Sequence, residues 1–302
     1  MTRRLLIVNP KAGQGRLQEM LRAALAERPW IEVHASESRE DAIAAARRAV
    51  DEGVDVLALG GGDGTLHDLV SAVAERPPPA LAVVPLGTAN DLAKTLGVPL
   101  DDPAAALDLT RDGVVHPIDL IQMSDAEGTR WVVNAATAGF AEEIEAALDD
   151  ETKARWKALA YLRASIEVIP KLGCGAYTID VDGRVQVVEA CALMVANGRY
   201  AGGFEFAPEA DAADRTIDVL AVTAAELGER AGLGLDFALG QHLDSPHVWA
   251  DRGREVHISG SPSLRFSVDG ESCGQIPVRF TIRPGCVRFM VPQPAVAAPL
   301  AG

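Results

Sequence analysis

Cysteine is scarce in this sequence. The chain of 302 residues has 4 cysteines, which form no CxxC pair and have no histidine at metal-ligand spacing. This argues against a cysteine-based metal centre and predicts reduced, buried thiols in a cytoplasmic protein. The four are Cys174, Cys191, Cys273 and Cys286.

Basic residues are also in deficit. Lys and Arg total 28 against 43 Asp and Glu, which gives a formal net charge of -15. Because proteins that bind nucleic acid normally carry a basic surface, this balance argues against a nucleic-acid partner. The same charge is repelled by anionic membranes, so any membrane contact is expected to be local and reversible.

Long hydrophobic runs are absent as well. No stretch reaches the roughly 18 uninterrupted apolar residues that a spanning helix needs. The first apolar segment stops at Val8, far short of a signal-peptide core. The sequence therefore predicts a cytoplasmic protein that touches membranes only peripherally. Its 48% hydrophobic residues are enough for a sizeable core.

Short apolar runs alternate with helical patterns in the first third of the chain. Such alternation predicts an α/β domain with a parallel sheet, helices on both faces, and a ligand crevice at the carboxyl ends of the strands. The predicted strands are 5–8, 31–35, 55–60 and 81–85, and the predicted helices are 17–27, 39–52, 66–73 and 90–96.

Beyond residue 118 the pattern changes to shorter strand-like segments separated by turn signals such as DG and NG. One helical region, 141–168, interrupts them. This predicts an α/β domain over 1–118, a β-rich domain over 119–292 and a frayed tail over 293–302. The predicted strands are 131–136, 176–181, 192–197, 216–222, 254–260, 264–270, 278–284 and 287–292.

Three glycine- or proline-marked breaks, VNPKAGQG, LGGGDGT and PLGTANDL, fall where a predicted strand ends and a helix begins. Each alone is compatible with a tight turn, but together they would line one edge of the sheet with N–H groups suited to polyphosphate. Asp63 and Asp91 would repel phosphate directly, which indicates a divalent cation between these carboxylates and the phosphate. The crevice therefore predicts a site for Mg-nucleotide. The glycines are Gly13, Gly15, Gly60, Gly61, Gly62, Gly64 and Gly87.

A family resemblance rests on these motifs and on later ones. NPKAG, GGDGTLHDLV and PLGTANDLAKTLGVP are followed by VNAATAGFAEEI, VANGRYAGGFEFAPEADAADRTIDVL and FSVDGE. In this order they resemble the diacylglycerol kinase catalytic family, lipid kinases that include bacterial diacylglycerol kinases and sphingosine and ceramide kinases. The resemblance implies transfer of the γ-phosphate of Mg-ATP to a lipid hydroxyl, at a cleft between the α/β domain and a β-sandwich-like domain.

The resemblance also implies residue roles. Asp63 and Asp91 would belong to the Mg-linked network around the phosphates, with Asp63 among the catalytic residues. Asp269 or Glu271 would accept the proton of the lipid hydroxyl, and the choice between them stays open. A separate structural Mg site would use the Asp214 side chain with backbone carbonyls near Asp211 and Thr216. The ATP contacts would be Asn9, Pro10, Lys11, Ala12, Gly13, Ser36, Gly61, Gly62, Asp63, Gly64, Thr65, Leu66, His67, Thr88, Asn90 and Asp91.

Three residues depart from the family pattern. His67 and Asp68 stand where relatives usually have Asn and Glu. Arg215 stands where Gly is common, so a positive φ would be costly there. This departure bears on the structural Mg site more than on the reaction.

Several alternatives stay open at this point. The segment 153–173 mixes cations with apolar residues, so it either lies at a membrane interface beside the lipid entry or packs on the core. The protein is a lipid kinase, a soluble kinase such as an NAD kinase, or a non-catalytic binding regulator. Diacylglycerol, monoacylglycerol, a sphingoid base and phosphatidylglycerol all offer a hydroxyl, and the oligomeric state, homodimer included, is not fixed by the sequence.

Overall fold

The structure is a computed structural model that describes residues 2–10, 12, 16–76, 78–139, 173–223, 233, 236–237 and 240–293. The predictions for Lys11, Gly13 and Gly15, for the helical region 141–168, for most of the segment 153–173, and for nearly all of the tail fall outside the described residues. Within the described part, no helix has the length and apolar character needed to span a membrane.

The first third forms the predicted parallel sheet. Val8 pairs with Gly60, and Gly61 pairs with Pro85, so the carboxyl ends of three strands lie at one edge. The glycine-marked loops that follow Gly61 and Pro85 therefore share that edge, as the sequence predicted. The elements are β1 (Arg4–Val8), α1 (Arg16–Ala26), β2 (Ile31–Ala35), α2 (Arg39–Asp51), β3 (Val56–Gly61), α3 (Asp63–Val73), β4 (Ala80–Pro85), α4 (Asp91–Thr95) and α5 (Pro103–Asp112).

Helices cover both faces of this sheet. Successive side chains of a strand point to opposite faces, and Leu6 and Ile7 accordingly enter different hydrophobic clusters. Leu6 packs with Leu21 of α1 and Leu107 of α5, whereas Ile7 packs with Leu69 of α3 and with alanines of α2. The alternation of strands and helices did not predict α5.

Helix boundaries follow local chemistry. Ser38 caps α2 by accepting a hydrogen bond from the Asp41 N–H at 3.1 Å, and Gly53 follows the helix with φ of +67°, both as the sequence indicates. The predicted start of α3 at residue 66 is wrong, since the helix begins at Asp63. Glycine is a poor helix former, so the glycine-rich first turn carries no helical signal.

The rest of the chain is an antiparallel, sandwich-like array that joins the parallel strands through the last strand. Its core contains Tyr177, Phe266 and Phe280, all fully buried. The strands are β5 (Val114–Asp125), β6 (Gly128–Val132), β7 (Ala135–Ala138), β8 (Gly175–Val181), β9 (Arg184–Ala196), β10 (Tyr200–Ala201), β11 (Phe204–Glu205), β12 (Ile217–Thr223), β13 (Val248–Gly253), β14 (Glu255–Ser261), β15 (Arg265–Val268), β16 (Glu271–Gln275) and β17 (Val278–Val291).

Some strand predictions are wrong. The segments 278–284 and 287–292 form one strand, β17, with an irregularity opposite β5. The segment 131–136 is instead divided between β6 and β7. Phe289 of β17 pairs with Leu81 of β4 and is buried with the α/β core. The last strand, β17, therefore packs on the parallel sheet. The domain boundary near residue 118 stays a prediction.

The prediction of four reduced thiols is wrong for two of them. Cys174 and Cys191 form a disulfide, whereas Cys273 and Cys286 are free. Gly175 pairs with Ala190 across β8 and β9, which places the two neighbouring cysteines opposite each other. Their proximity comes from the strand register. The spacing of the cysteines along the chain does not predict that register.

Candidate active site

A cavity of about 410 Å³ opens at the carboxyl edge of the parallel strands and reaches the β-rich part of the chain. We call it the main cavity. We call the part lined by Asp63, Asp91, Asp269 and Glu271 its acidic end, and the part lined by Phe204 and Phe206 its apolar wall. Of the predicted site residues, it is lined by Asp63, Gly64, Leu66, His67, Thr88, Asp91, Asp269 and Glu271.

Two glycine loops meet beside the main cavity. A Cβ atom on Gly87 would lie 2.5 Å from the Gly62 Cα, so the two backbones approach more closely than any side chain would allow. The Asp63 carboxylate accepts hydrogen bonds from the N–H groups of Asn90 at 2.8 Å and Asp91 at 2.6 Å. Asp63 thereby fixes the first turn of α4 against the first turn of α3.

Asn90 makes possible the tight turn between Gly87 and the start of α4. Its φ is +52°, a left-handed conformation that Asn tolerates better than most residues. Its side chain accepts a hydrogen bond from the Gly87 N–H at 2.8 Å and donates one to the Gly87 carbonyl at 3.0 Å. Asn90 therefore shapes the loop, and it does not line the main cavity.

Two buried carboxylates lie side by side at the acidic end. Burial raises the pKa of Asp63, against the hydrogen bonds from the backbone of Asp91 and Asn90. Burial, and then the charge of Asp63, raise the pKa of Asp91 to about 6, against the charge of Lys94. Asp91 accepts the Gly203 N–H at 2.9 Å, and Lys94 donates to the Gly203 carbonyl at 3.1 Å. These contacts tie α4 to the β10–β11 hairpin.

Asp269 occupies the turn between β15 and β16 and is saturated with donors. One oxygen accepts the N–H groups of Asn134 at 2.8 Å and Ala135 at 2.9 Å. The other accepts the Val133 N–H at 2.7 Å and a hydrogen bond from His67 Nδ1 at 2.8 Å. The DGE turn is therefore joined to α3 through His67, a contact between residues that are 202 positions apart.

Glu271 stands in a different environment from Asp269. Its side chain is 46% exposed, against 5% for Asp269. Arg39 of α2 bridges it to Asp68 of α3, with N–O distances of 2.8 Å to Glu271 and 2.5 Å to Asp68. Such an exposed pair contributes about 0–1 kcal/mol, so its main effect is on local charge.

A smaller cavity of about 300 Å³ adjoins the main one and shares Glu271 as a lining residue. Among the predicted nucleotide contacts it is lined by Asn9, Ser36 and Thr65. Ser36 donates a hydrogen bond to the Val8 carbonyl at 3.2 Å, so the hydroxyl is positioned by the end of β1. The predicted nucleotide contacts in the described part that line neither cavity are Pro10, Ala12, Gly61, Gly62 and Asn90.

Sequence reasoning missed some residues around the site. Phe204 and Phe206 supply the apolar wall, Arg39 bridges two acidic residues, and the Asn134 N–H donates a hydrogen bond to the Asp269 carboxylate. The two phenylalanines lie in the segment YAGGFEF. This segment is part of a motif of the family resemblance, which could have pointed to them, but the sequence assigns that motif no role. No local signal points to Arg39.

The Asp214 side chain of the expected structural Mg site already has other partners. The Asp214 carboxylate accepts the Thr216 N–H at 2.9 Å on one oxygen and Arg252 at 2.6 Å on the other. The Asp211 carbonyl accepts the Asp214 N–H at 3.1 Å. In the described part of the chain, no group of three or more metal-ligating side chains is present. Arg215 nevertheless has φ of +67°, the costly conformation that replacement of Gly implied.

Arg252 supplies the positive charge at this place. Its guanidinium also contacts Asp218 at 2.8 Å. Burial raises the pKa of Asp218, and the charge of Arg252 opposes that shift. Arg252 thus places one positive charge between the carboxylates of Asp214 and Asp218.

We expect EDTA to leave the melting temperature of the purified protein unchanged in the absence of nucleotide. Arg252→Met should instead lower stability by about 1–2 kcal/mol, discounted for partial exposure, because Asp218 would be left buried without its partner. The matched control is Arg184→Met, which breaks a surface pair with Asp251. A fall in melting temperature on chelation would contradict this account.

Comparisons with known proteins agree with this geometry. The family model described as "Diacylglycerol kinase catalytic domain" matches residues 3–123. The model described as "YegS C-terminal NAD kinase beta sandwich-like domain" matches residues 134–291. The first covers the parallel sheet and its loops, and the second covers the β-rich part that carries Asp269.

Similar proteins match over nearly the whole chain. A diacylglycerol kinase of Bacillus subtilis (strain 168) is 29% identical over 286 residues, which cover 93% of each chain. A diacylglycerol kinase of Staphylococcus aureus (strain bovine RF122 / ET3-1) is 30% identical over 281 residues, which cover 91% of this chain and 88% of that protein.

Solved structures share the fold. A diacylglycerol kinase from Bacillus anthracis str. Sterne superposes with a TM-score of 0.76 at 26% identity, over 98% of both chains. An NAD kinase from Archaeoglobus fulgidus in complex with ATP gives a TM-score of 0.51 at 14% identity, over 95% of this chain and 93% of that one, a likeness of fold alone. The chain belongs to the diacylglycerol kinase family.

Proposed function

We propose that this protein transfers the γ-phosphate of Mg-ATP to a hydroxyl group of a lipid such as diacylglycerol. The observation that carries the proposal is the main cavity, in which one space joins glycine loops and buried carboxylates to an apolar wall. A phosphate donor needs the first set of groups, and an acyl-bearing acceptor needs the second.

The loops after β3 and β4, together with Asn9 at the end of β1, support the nucleotide half of the proposal. Their N–H groups lie at the edge where parallel α/β sheets bind ligands. The NAD kinase of similar fold was solved with ATP, which supports ATP as the nucleotide here. We place the triphosphate along Gly61–Thr65 and Thr88, with Asn9 and Ser36 in the smaller cavity next to it.

The charge of the main cavity supports Mg²⁺ as the cofactor. Among the described residues that line it, none is Lys or Arg, whereas Asp63 and Asp91 are acidic. Carboxylate oxygens suit Mg²⁺. Burial raises the pKa of both groups, and the charge of Asp63 adds to the shift of Asp91, a repulsion that a bound cation would relieve. Bound there, Mg²⁺ would offset the charge of the transferring phosphate. Asp63 and Asp91 would hold it and orient the first turns of α3 and α4.

The apolar wall supports a lipid acceptor. Phe204 and Phe206 lie in the same cavity as His67 and Asp269, so a hydroxyl on an apolar chain can approach the acidic end. The similar proteins named diacylglycerol kinase support diacylglycerol as the acceptor class. We place the reaction at the surface of a membrane, which the protein would visit from the cytoplasm.

An assay with γ-labelled ATP and a panel of acceptors in mixed micelles tests the proposal. The panel contains diacylglycerol, monoacylglycerol, a sphingoid base and phosphatidylglycerol, with NAD as a separate soluble acceptor. We expect Mg²⁺-dependent label in a lipid and none in NAD. Asp91→Asn should bring the label close to background, because the buried pair would lose half of its charge.

Two results would contradict the proposal. Label in NAD would favour the soluble kinase that shares this fold. ATP binding without label in any acceptor would favour a binding regulator.

A further inference from the structure

The apolar wall of the main cavity is the front of a larger set of aromatic rings. The rings of Phe204 and Phe206 lie 6.1 Å apart, and Phe206 lies 5.5 Å from Phe237, measured between ring centroids. The His242 ring stacks on Phe237 at 4.1 Å, with an angle of 11° between the two planes. Of these described rings, Phe204 and Phe206 line the main cavity, whereas Phe237 and His242 do not. The wall therefore has a second layer that ends at His242.

A hydrogen bond also joins His242 to the wall directly. Its Nε2 atom lies 2.6 Å from the carbonyl oxygen of Phe206. Because a carbonyl oxygen only accepts hydrogen bonds, Nε2 carries the hydrogen and donates it. Burial lowers the pKa of His242, against this hydrogen bond and the charges of Asp236 and Glu205. The ring is therefore neutral, and Nδ1 carries the lone pair.

The other ring nitrogen makes histidine a costly choice at this position. His242 is fully buried, and its Nδ1 has no hydrogen-bond partner among the described residues. A buried polar atom without a partner lowers stability. A phenylalanine would supply a ring to stack on Phe237 without that cost, so ring packing alone does not account for the histidine. What histidine adds to such a ring is the N–H donated to the Phe206 carbonyl.

This hydrogen bond fixes the backbone next to the Phe206 side chain. The Phe206 N–H donates to the Arg199 carbonyl at 2.9 Å, and the Phe206 carbonyl accepts from His242. Phe206 directly follows the β10–β11 hairpin, which also carries Gly203, the residue whose N–H donates to Asp91. The contacts of this segment therefore set where the apolar wall lies relative to the acidic end.

We propose that His242 is a positioning residue for the acceptor lipid, because through Phe206 it holds the apolar wall in the shape that receives the acyl chains. The proposal rests on the kinase function given above and deepens it. His242 does not line the cavity, so it acts on the acceptor only through the wall. Its loss should weaken binding of the acceptor and leave binding of ATP at the loops after β3 and β4 as it is.

His242→Phe tests the role of the hydrogen bond, because it keeps a ring and removes the donor. We expect KM for diacylglycerol in mixed micelles to rise about 3- to 10-fold, the factor that corresponds to the loss of one neutral hydrogen bond. KM for ATP should not change. The matched control is His257→Phe, which removes a histidine whose Nε2 contacts Glu255 at 2.7 Å on an exposed part of β14, outside both cavities.

His242→Gln is the complementary variant, because it keeps a donor and removes the ring. The side-chain amide of Gln can donate to the Phe206 carbonyl, but it cannot stack on Phe237. We therefore expect His242→Gln to melt at a lower temperature than His242→Phe and yet to have the lower KM for diacylglycerol. If the less stable of the two variants instead has the higher KM, His242 only stabilises the fold and the proposal is wrong.

A measurement on the wild-type protein makes the test independent of how the variants fold. NMR should show the neutral His242 ring with its hydrogen on Nε2. The signal of this N–H should shift when micelles that contain diacylglycerol are added, and it should not shift with empty micelles or Mg-ATP. No shift with diacylglycerol would overturn the proposal.

Failure of this proposal differs from failure of the kinase function. An active lipid kinase with an unchanged KM for diacylglycerol in His242→Phe would overturn the role of His242 alone. A wild-type protein that labels no lipid would overturn the kinase function itself.

Discussion

Asp269→Asn is expected to lower the free energy of unfolding by about 3 kcal/mol or more, since hydrogen bonds to a charged acceptor contribute roughly 1.5–3 kcal/mol each. The amide that replaces the carboxylate keeps one acceptor oxygen and gains an NH₂ group. That NH₂ group must face either the Val133 N–H and His67 or the N–H groups of Asn134 and Ala135. Donor then meets donor at a side chain that is only 5% exposed.

Backbone strain does not explain this loss. Asp269 has φ of +47°, and Asn accepts that conformation as readily as Asp. The same substitution removes the charge and the charged hydrogen-bond acceptor that raise the pKa of His67, so this pKa should fall, although the charges of Asp68 and Glu271 still act to raise it. The variant is expected to lose activity as well, because the DGE turn would lose hydrogen bonds that hold it beside α3.

Urea unfolding and NMR titration of His67 measure the two effects. The matched control is Asp182→Asn, because Asp182 also has a positive φ, +51°, and accepts the N–H groups of Arg254 and Glu255, but at an exposed turn. We expect its cost to stay below about 1 kcal/mol, since water can replace the lost contacts. Equal stability of Asp269→Asn and the wild type would show that the carboxylate does not hold the turn.

The part of this site that the sequence predicts is the part encoded by local patterns. Alternating apolar runs and helical patterns predict parallel strands, and parallel strands end at one edge, so the common position of the Gly62 and Gly87 loops follows. The roles of Asp269 and Glu271 came only from a family resemblance. Even there, the resemblance leaves open which of the two is the base.

The remaining part depends on contacts between distant segments. His67 meets Asp269 because β15 and β16 carry the DGE turn to α3, and no pattern near either residue encodes that meeting. Cys174 and Cys191 meet for the same reason, through the register of β8 and β9. Helix α5 was missed for a different reason, because its start is encoded locally. Asp102 caps it and Pro103 is its first residue, but a prediction based on the alternation of strands and helices does not consider this helix-start signal.

Gly87→Ala is expected to separate the two loops that form the edge of the nucleotide site. The added methyl would lie 2.5 Å from the Gly62 Cα and 2.9 Å from the Asn90 side-chain oxygen. Neither neighbour is the flexible end of a long side chain, because one is backbone and the other is held by Gly87 itself. Relief therefore requires movement of the backbone, and overpacking of this kind costs about 1–3 kcal/mol.

The consequence for ligand binding is larger than the consequence for folding. Movement of Gly87 displaces Asn90, and with it the N–H groups of Asn90 and Asp91 that donate to the Asp63 carboxylate. The first turns of α3 and α4 would then no longer face one phosphate chain. We expect calorimetry with Mg-ATP to show binding at least about tenfold weaker, which corresponds to about 1.4 kcal/mol. The melting temperature should fall by several degrees.

Gly173→Ala is the control for this experiment, because that glycine has an ordinary φ and no atom of the described residues lies within 4 Å of the added methyl. It should bind Mg-ATP and melt like the wild type. Unchanged nucleotide binding in Gly87→Ala would mean that the two loops do not act together on the triphosphate. The phosphates would then have to be held by the β3 loop and α3 alone, and the close approach of Gly62 and Gly87 would be a packing feature.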